Sequence, residues 1–312
     1  MQYKRITITA PDADLSDVLV RIKLDADTDI GSVCQQNGYD VYFTTSDGST
    51  RLPFARLEWS VTEGAASGQF DVLCDIPVSG VTIRMYYGDI ASTDPQNRDV
   101  TYADYYCVVP TRLSNIVDGR YQDVTGNTSG FVAYTSGVED GDFPFGSTIR
   151  TATGQDNIYC TIGQHDNVEF QSLFYYNGLD NQTAFGYDAY IAAIPRNNGV
   201  WLRGPSGYIN SNLIKSASKN FLAFCFSPTT YVYTCADSNR RTSGSVAFTP
   251  NTSSMRIMFR SGCDFAEVRA KKTLSSQEML RFQYFNLTEP ENVYTIKKPS
   301  KRRRRSAIID FI

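Results

Sequence analysis

The chain has 312 residues, of which 41% are hydrophobic, 13% aromatic and 20% charged, with 20 Tyr and 18 Phe. At about 100 to 200 residues per domain this predicts two domains, and the aromatic-rich profile suits packed β-structure while excluding disorder and coiled coil. The formal charge of −3 is unevenly spread: residues 297–312 hold seven Lys/Arg against one Asp, so residues 1–296 carry −9. An acidic body argues against a broad nucleic-acid surface, and only the tail is expected to meet phosphate.

No apolar run approaches the ~20 residues that span a bilayer, so no membrane insertion is expected, and the first residues lack the apolar core of an export signal. The seven cysteines (Cys34, Cys74, Cys107, Cys160, Cys225, Cys235, Cys263) contain no C-x-x-C pair. Mainly free thiols and assembly in a reducing cytoplasm are therefore expected, with a Cys225–Cys235 pairing left open by their closeness in sequence.

In chain order, period-two alternation comes first: Val18, Val20, Ile22 and Leu24, then Phe70, Val72, Cys74 and Ile76, then Val81, Ile83, Met85 and Tyr87. Each set lines one buried strand face, with turns at Asp25 to Asp29, Ser46-Asp47-Gly48, Glu63 to Gly68 and Val78-Ser79-Gly80. After Pro110, Gly, Asn, Asp and Ser separate many short strands, the pattern of a larger sandwich or jelly roll. Ser275-Ser276-Gln277-Glu278 ahead of Met279, Leu280, Phe282 and Phe285 predicts a capping box on one short helix closing the second domain. The expected fold is all-β: two consecutive β-sandwiches over 1–112 and 113–294, and an extended basic tail over 295–312.

The tail carries Lys301 and Arg302, Arg303, Arg304 and Arg305, then ends in Ser-Ala-Ile-Ile-Asp-Phe-Ile. Like charges keep such a segment extended, and Ile308, Ile309, Phe311 and Ile312 cannot bury themselves locally. It reads as an assembly arm attracted to acidic subunit bodies, with nucleic-acid contact or an inert tail as the alternatives.

Residues Asn37 to Trp59 (NGYDVYFTTSDGSTRLPFARLEW), followed by Val81 to Asp89 (VTIRMYYGD), resemble the domain-of-unknown-function 2341 family. Residues Ser261 to Arg269 and Leu274 to Tyr284 are similar to the closing strand and helix of a concanavalin-A-like, laminin-G-type domain, and Leu222 to Tyr233 to the hairpin ahead of them. The combination implies a non-enzymatic surface module of bacterial surface proteins and phage structural proteins, often attached to sugar recognition.

His165 is the only histidine, in a turn, so triad chemistry and histidine metal clusters are not expected. Glycosidases need two carboxylates on one cleft-facing strand; Glu139, Asp140 and Asp142 read as an acidic turn, and Asp264 and Glu267 fall on opposite faces of an unbroken strand. No cofactor is expected, with Ca²⁺ on Asp140, Asp142, Asn177, Asp180 and Asn181 in turns as the alternative. For sugars, an exposed ring beside planar polar groups is needed. Trp201, Arg203 and Tyr208 around Gly204-Pro205-Ser206-Gly207 supply this, with Tyr175, Tyr176, Tyr187 and Tyr190 as further candidates. The four N-x-S/T sequons, at Asn127, Asn181, Asn251 and Asn286, need no explanation beyond composition.

The sequence therefore leads to a phage virion structural protein of the tail, collar or capsid surface. Its lectin-like domain is displayed toward host glycans, and its partners are other virion proteins and copies of itself. A bacterial cell-surface adhesin and a divergent glycoside hydrolase are the alternatives.

Overall fold

The computed structural model describes residues 2–128, 130–132, 138–150, 157–160, 168–176, 185–187, 191–196, 199–204, 207–211, 218–226, 230–235, 240–245, 255–258 and 263–297. Along the first hundred residues run β1 (Gln2–Ile8), β2 (Leu15–Asp27), α1 (Thr28–Gly31), β3 (Tyr42–Thr45), β4 (Phe54–Thr62), β5 (Ala65–Ile76), β6 (Val81–Tyr87) and α2 (Arg98–Thr101). There follow β7 (Tyr105–Pro110), β8 (Ile116–Val117), β9 (Arg120–Tyr121), β10 (Phe131–Val132), β11 (Val138–Asp140), β12 (Thr148–Arg150), β13 (Asn157–Cys160) and β14 (Val168–Tyr176). Then come β15 (Phe185–Tyr187), β16 (Ile191–Arg196), β17 (Gly199–Gly204), β18 (Gly207–Ser211), β19 (Ser218–Phe226), β20 (Thr230–Cys235), β21 (Arg240–Ser245), β22 (Met255–Met258) and β23 (Cys263–Lys271). The chain closes with α3 (Gln277–Thr288), α4 (Pro290–Val293) and β24 (Tyr294–Lys297). The fold is all-β, in antiparallel sheets, with one longer helix near the C-terminus.

A four-stranded sheet in the order β24-β1-β6-β3 faces a three-stranded sheet β2-β5-β4. The alternating residues fill the space between them: Ile6, Ile83 and Met85 from one sheet meet Val20, Ile22, Phe70 and Val72 from the other. β2 is buried on its other side too, with Leu19 and Arg21 almost inaccessible, because that face meets the next unit. There, β11-β12-β23-β14-β19-β20-β21 form a sheet that β7 joins along β23. A six-stranded sheet has the order β13-β22-β15-β16-β17-β18.

Main-chain pairing crosses both expected domain boundaries. β7, placed before residue 112, pairs with β23, and β24, placed mostly in the tail, pairs with β1 through Ile6 opposite Ile296. Helix α3 lies between the two units. Met279 and Phe282 join the first core, while Leu280 and Leu287 pack with Leu173, Phe221 and Ala223. Its cap is Ser276, whose hydroxyl accepts from Met279 N, so Ser276 rather than Ser275 starts the helix. Glu278 instead accepts from Asp12 N, and Ser275 donates to buried Glu169.

The seam between the units is charged. Arg21 makes a bidentate pair with Asp71 at 2.8 Å from both Nε and Nη2, and Nη1 donates to Glu267, which also accepts from Arg269. Tyr102 OH donates to Asp71, and Asn286 of α3 accepts from Arg21 N and donates to Arg21 O. Burial opposes ionisation of Asp71, yet Arg21 outweighs it and holds the carboxyl below its ordinary range.

Asp71→Asn is expected to cost about 3–5 kcal/mol, since it leaves buried Arg21 and Arg269 to share the one carboxylate of Glu267; urea unfolding measures it, and a change under about 1 kcal/mol would contradict this origin of the seam's stability. Because the folded pKa of Asp71 lies below its unfolded value near ~3.9, its contribution is present above about pH 4 and is lost as pH falls through the folded value. Stability measured from pH 6 downward should decline there in the natural chain and less in Asp71→Asn.

Candidate functional site

The candidate sugar site lies on the β17–β18 ribbon at the edge of the six-stranded sheet. Arg203 pairs with Tyr208, and Trp201, two residues before Arg203, pairs with Asn210. Strand register therefore brings Trp201, Arg203 and Tyr208 onto one face of the ribbon. Residues 205–206 between the strands lie outside the described residues, as do Tyr190, His165, Asn177, Asp180, Asn181 and the whole arm from Lys301 to Ile312. Tyr175 packs beside Leu173 and is half-buried.

The expected separation of Asp264 and Glu267 is corrected by a bulge. β14 pairs Tyr175 with Asp264 and Leu173 with Glu267 across a register shift at Leu173/Phe174, so both carboxylates fall on one face of β23. That face is the covered one. Glu267 is 2% exposed against Arg21 and Arg269, and Asp264, 7% exposed, accepts from Asp142 N. Burial pushes the Asp264 carboxyl up. A substrate has no route to a pair sealed in this way. Among the described residues no group of three potential ligands is arranged for a metal ion; Asp140 is exposed at the end of β11.

Two surface features escaped the sequence reading. A cleft of about 250 Å³ opens between Thr9–Asp12 and α3, with Phe282, Phe285 and Val293 in its lining and the Asp12–Arg281 ion pair at 2.8 Å beside it. The second is the outward face of the four-stranded sheet. There Tyr3, Tyr86 and Tyr42 stand in one register row, with ring centroids 5.3 and 5.1 Å apart. Arg51 caps the Tyr42 ring at 3.8 Å and Arg84 the Tyr3 ring at 4.7 Å. Gly48, at φ +84°, lets the β3 turn sit down on this face: a Cβ there would lie 2.7 Å from both Arg84 Nη1 and Tyr86 OH. The signal was present in the residues that interleave the apolar ones, Tyr3-x-Arg5-x-Thr7 and Thr82-x-Arg84-x-Tyr86.

Asn286 is buried and bonded to Arg21, so that sequon is closed to modification in the folded chain. Among the described residues, no helix is long and apolar enough to cross a membrane.

No family model and no curated protein matches the chain. Among solved structures it is similar to domain 4 of AbnA, a GH43 extracellular arabinanase from Geobacillus stearothermophilus solved with arabinotriose, at 14% identity and TM-score 0.44, covering 57% of this chain and 97% of that one. It is also similar to the Trypanosoma rangeli sialidase in complex with sialic acid, at 11% identity and TM-score 0.44, covering 79% of this chain. A further structure of that sialidase matches at 10% identity and TM-score 0.42. The chain spans 44% and 42% of the two sialidase chains. These likenesses correct the expectation of a non-enzymatic chain: the similar structures belong to glycoside hydrolases and sialidases, and the exclusion of an enzyme is withdrawn. At these TM-scores they transfer neither a reaction nor a ligand.

The thiols supply a check on the register. β19 pairs Cys225 with Val232 and Leu222 with Cys235, so Cys225 and Cys235 are adjacent-strand residues three rungs apart, about 10 Å along the strand and beyond disulfide reach. Burial raises the Cys34 thiol to about 11 and the Cys74 thiol to about 12. Non-reducing peptide mapping should find Cys225 and Cys235 unlinked, and alkylation at pH 8 should modify Cys34 and Cys74 far more slowly in the native chain than in denaturant.

Proposed function

We propose that this chain recognises carbohydrate through the β17–β18 ribbon and is docked into a larger particle, a phage virion, by its basic arm. The observation that carries the first half is the pairing of Arg203 with Tyr208, two residues along from Trp201, on a sheet edge. A pyranose C–H face stacks on the indole, while the guanidinium and phenol take its hydroxyls. The second half draws on charge: a body of −9 over residues 1–296 attracts an arm of Lys301 and four consecutive arginines, and Ile308, Ile309, Phe311 and Ile312 provide an apolar anchor. β24 ends at Lys297, so the arm leaves from a strand held against β1.

Trp201→Ala and Tyr208→Ala should each weaken glycan binding about tenfold or more with an unchanged circular dichroism spectrum, read on a glycan array and by calorimetry. Retention of full affinity by both variants would refute the ribbon site. Truncation after Lys297 keeps the β1–β24 pairing, and should abolish incorporation into salt-washed particles quantified by mass spectrometry, with glycan binding intact. A truncated chain that still enters particles at the natural ratio would overturn the docking role.

A further inference from the structure

The four-stranded sheet carries a second surface, separate from the β17–β18 ribbon. Its middle register row places Lys297 opposite Arg5 and Arg5 opposite Arg84. Three cations thus stand side by side across adjacent strands, over about 10 Å, where like charges directly opposite destabilise a sheet. None of the outward positions of these strands is acidic. Arg5 and Lys297 are exposed and have no carboxylate partner among the described residues, although the chain up to residue 296 carries −9. The nearby Asp47 carboxylate is turned into its own loop, accepting from Thr45 and from Ser49 N and Oγ.

Hydroxyl rows flank the cations on both sides. One is the tyrosine row described above; the other runs Thr295, Thr7 and Thr82, with Thr7 and Thr82 hydroxyls 3.4 Å apart. We infer that this face binds an acidic polysaccharide, its carboxylates on the Lys297–Arg5–Arg84 row and its sugar hydroxyls on the flanking tyrosine and threonine rows.

The ring geometry favours this ligand over single-stranded nucleic acid. Tyr42 and Tyr86 stack on each other at 10° between planes, and Arg51 and Arg84 lie over Tyr42 and Tyr3, so the rings are engaged where bases would need open faces. The chain's own arm is excluded as the occupant by charge, since Lys298, Lys301 and Arg302 to Arg305 repeat the sign of the row.

The test is binding of the full chain to polygalacturonate at low salt, with dextran as the neutral control and a single-stranded oligonucleotide as the nucleic-acid control. Arg5→Gln combined with Lys297→Gln should weaken polygalacturonate binding about tenfold and reduce its salt dependence. Thermal stability should be unchanged or raised, because a like-charge contact is relieved. The Trp201→Ala variant should bind polygalacturonate as the natural chain does, which separates this site from the ribbon. Unchanged polygalacturonate affinity in the double variant would overturn the inference. So would tighter oligonucleotide binding with the same dependence on Arg5 and Lys297, or a salt-sensitive self-association that the double variant abolishes while polygalacturonate does not bind.

Discussion

Arg21 is the group around which the two units are held. Its guanidinium is inaccessible to water and engages Asp71 from its own sheet and Glu267 from the next, while its backbone is bracketed by Asn286 of the helix. Buried ion pairs recover little net stability once desolvation is counted, so their effect is better seen in geometry. The Arg21–Glu267 contact is the one that crosses from β2 to β23, and a shift of one strand against the other by one residue would break it, leaving Arg21 with Asp71 and Glu267 with Arg269. The network therefore selects one docking of the sheets, and the aromatic groups around it, Tyr102 and Tyr105, keep water out.

The nesting of the units follows from the same seam. β7 contributes Tyr105, Cys107, Val108 and Val109, all buried, so both of its faces are covered although β23 is the one described strand it pairs with. Helix α3 has apolar residues on two sides and feeds two cores, and β24 then returns to the first sheet. The N-terminal unit is completed by the last described residues of the chain. Truncation within α3 would expose two cores at once, and truncation within β24 would open the β1 edge of the first sheet.

The bulge in β23 shows how local irregularity redirects chemistry. Without it, Asp264 and Glu267 diverge; with it, both fall on one covered face, where Glu267 meets the arginines of the seam and Asp264 accepts from Asp142 N within its own unit. Glu267 thus serves the joint between units.

Much of this was readable in the sequence. Alternation in β2, β5 and β6 identified Ile22, Phe70 and Ile83 as core, because side chains two residues apart on a strand share a face, and the Ser-rich turn before Met279 marked a helix start because its hydroxyl has an orphan N–H to satisfy. Trp201, Arg203 and Tyr208 were grouped by residue type around Gly204 to Gly207, and only the β17–β18 register shows that Arg203 stands opposite Tyr208. The partners across the seam were not readable: Arg21 and Glu267 lie 246 residues apart, and nothing local to either says which opposite charge it will meet. Strand order, the β23 bulge and the alignment of Lys297, Arg5 and Arg84 were likewise decided only by the tertiary structure, because cross-strand neighbours are set by how sheets pair. Local periodicity reports which side of a strand is buried, and long-range pairing alone determines what stands beside it.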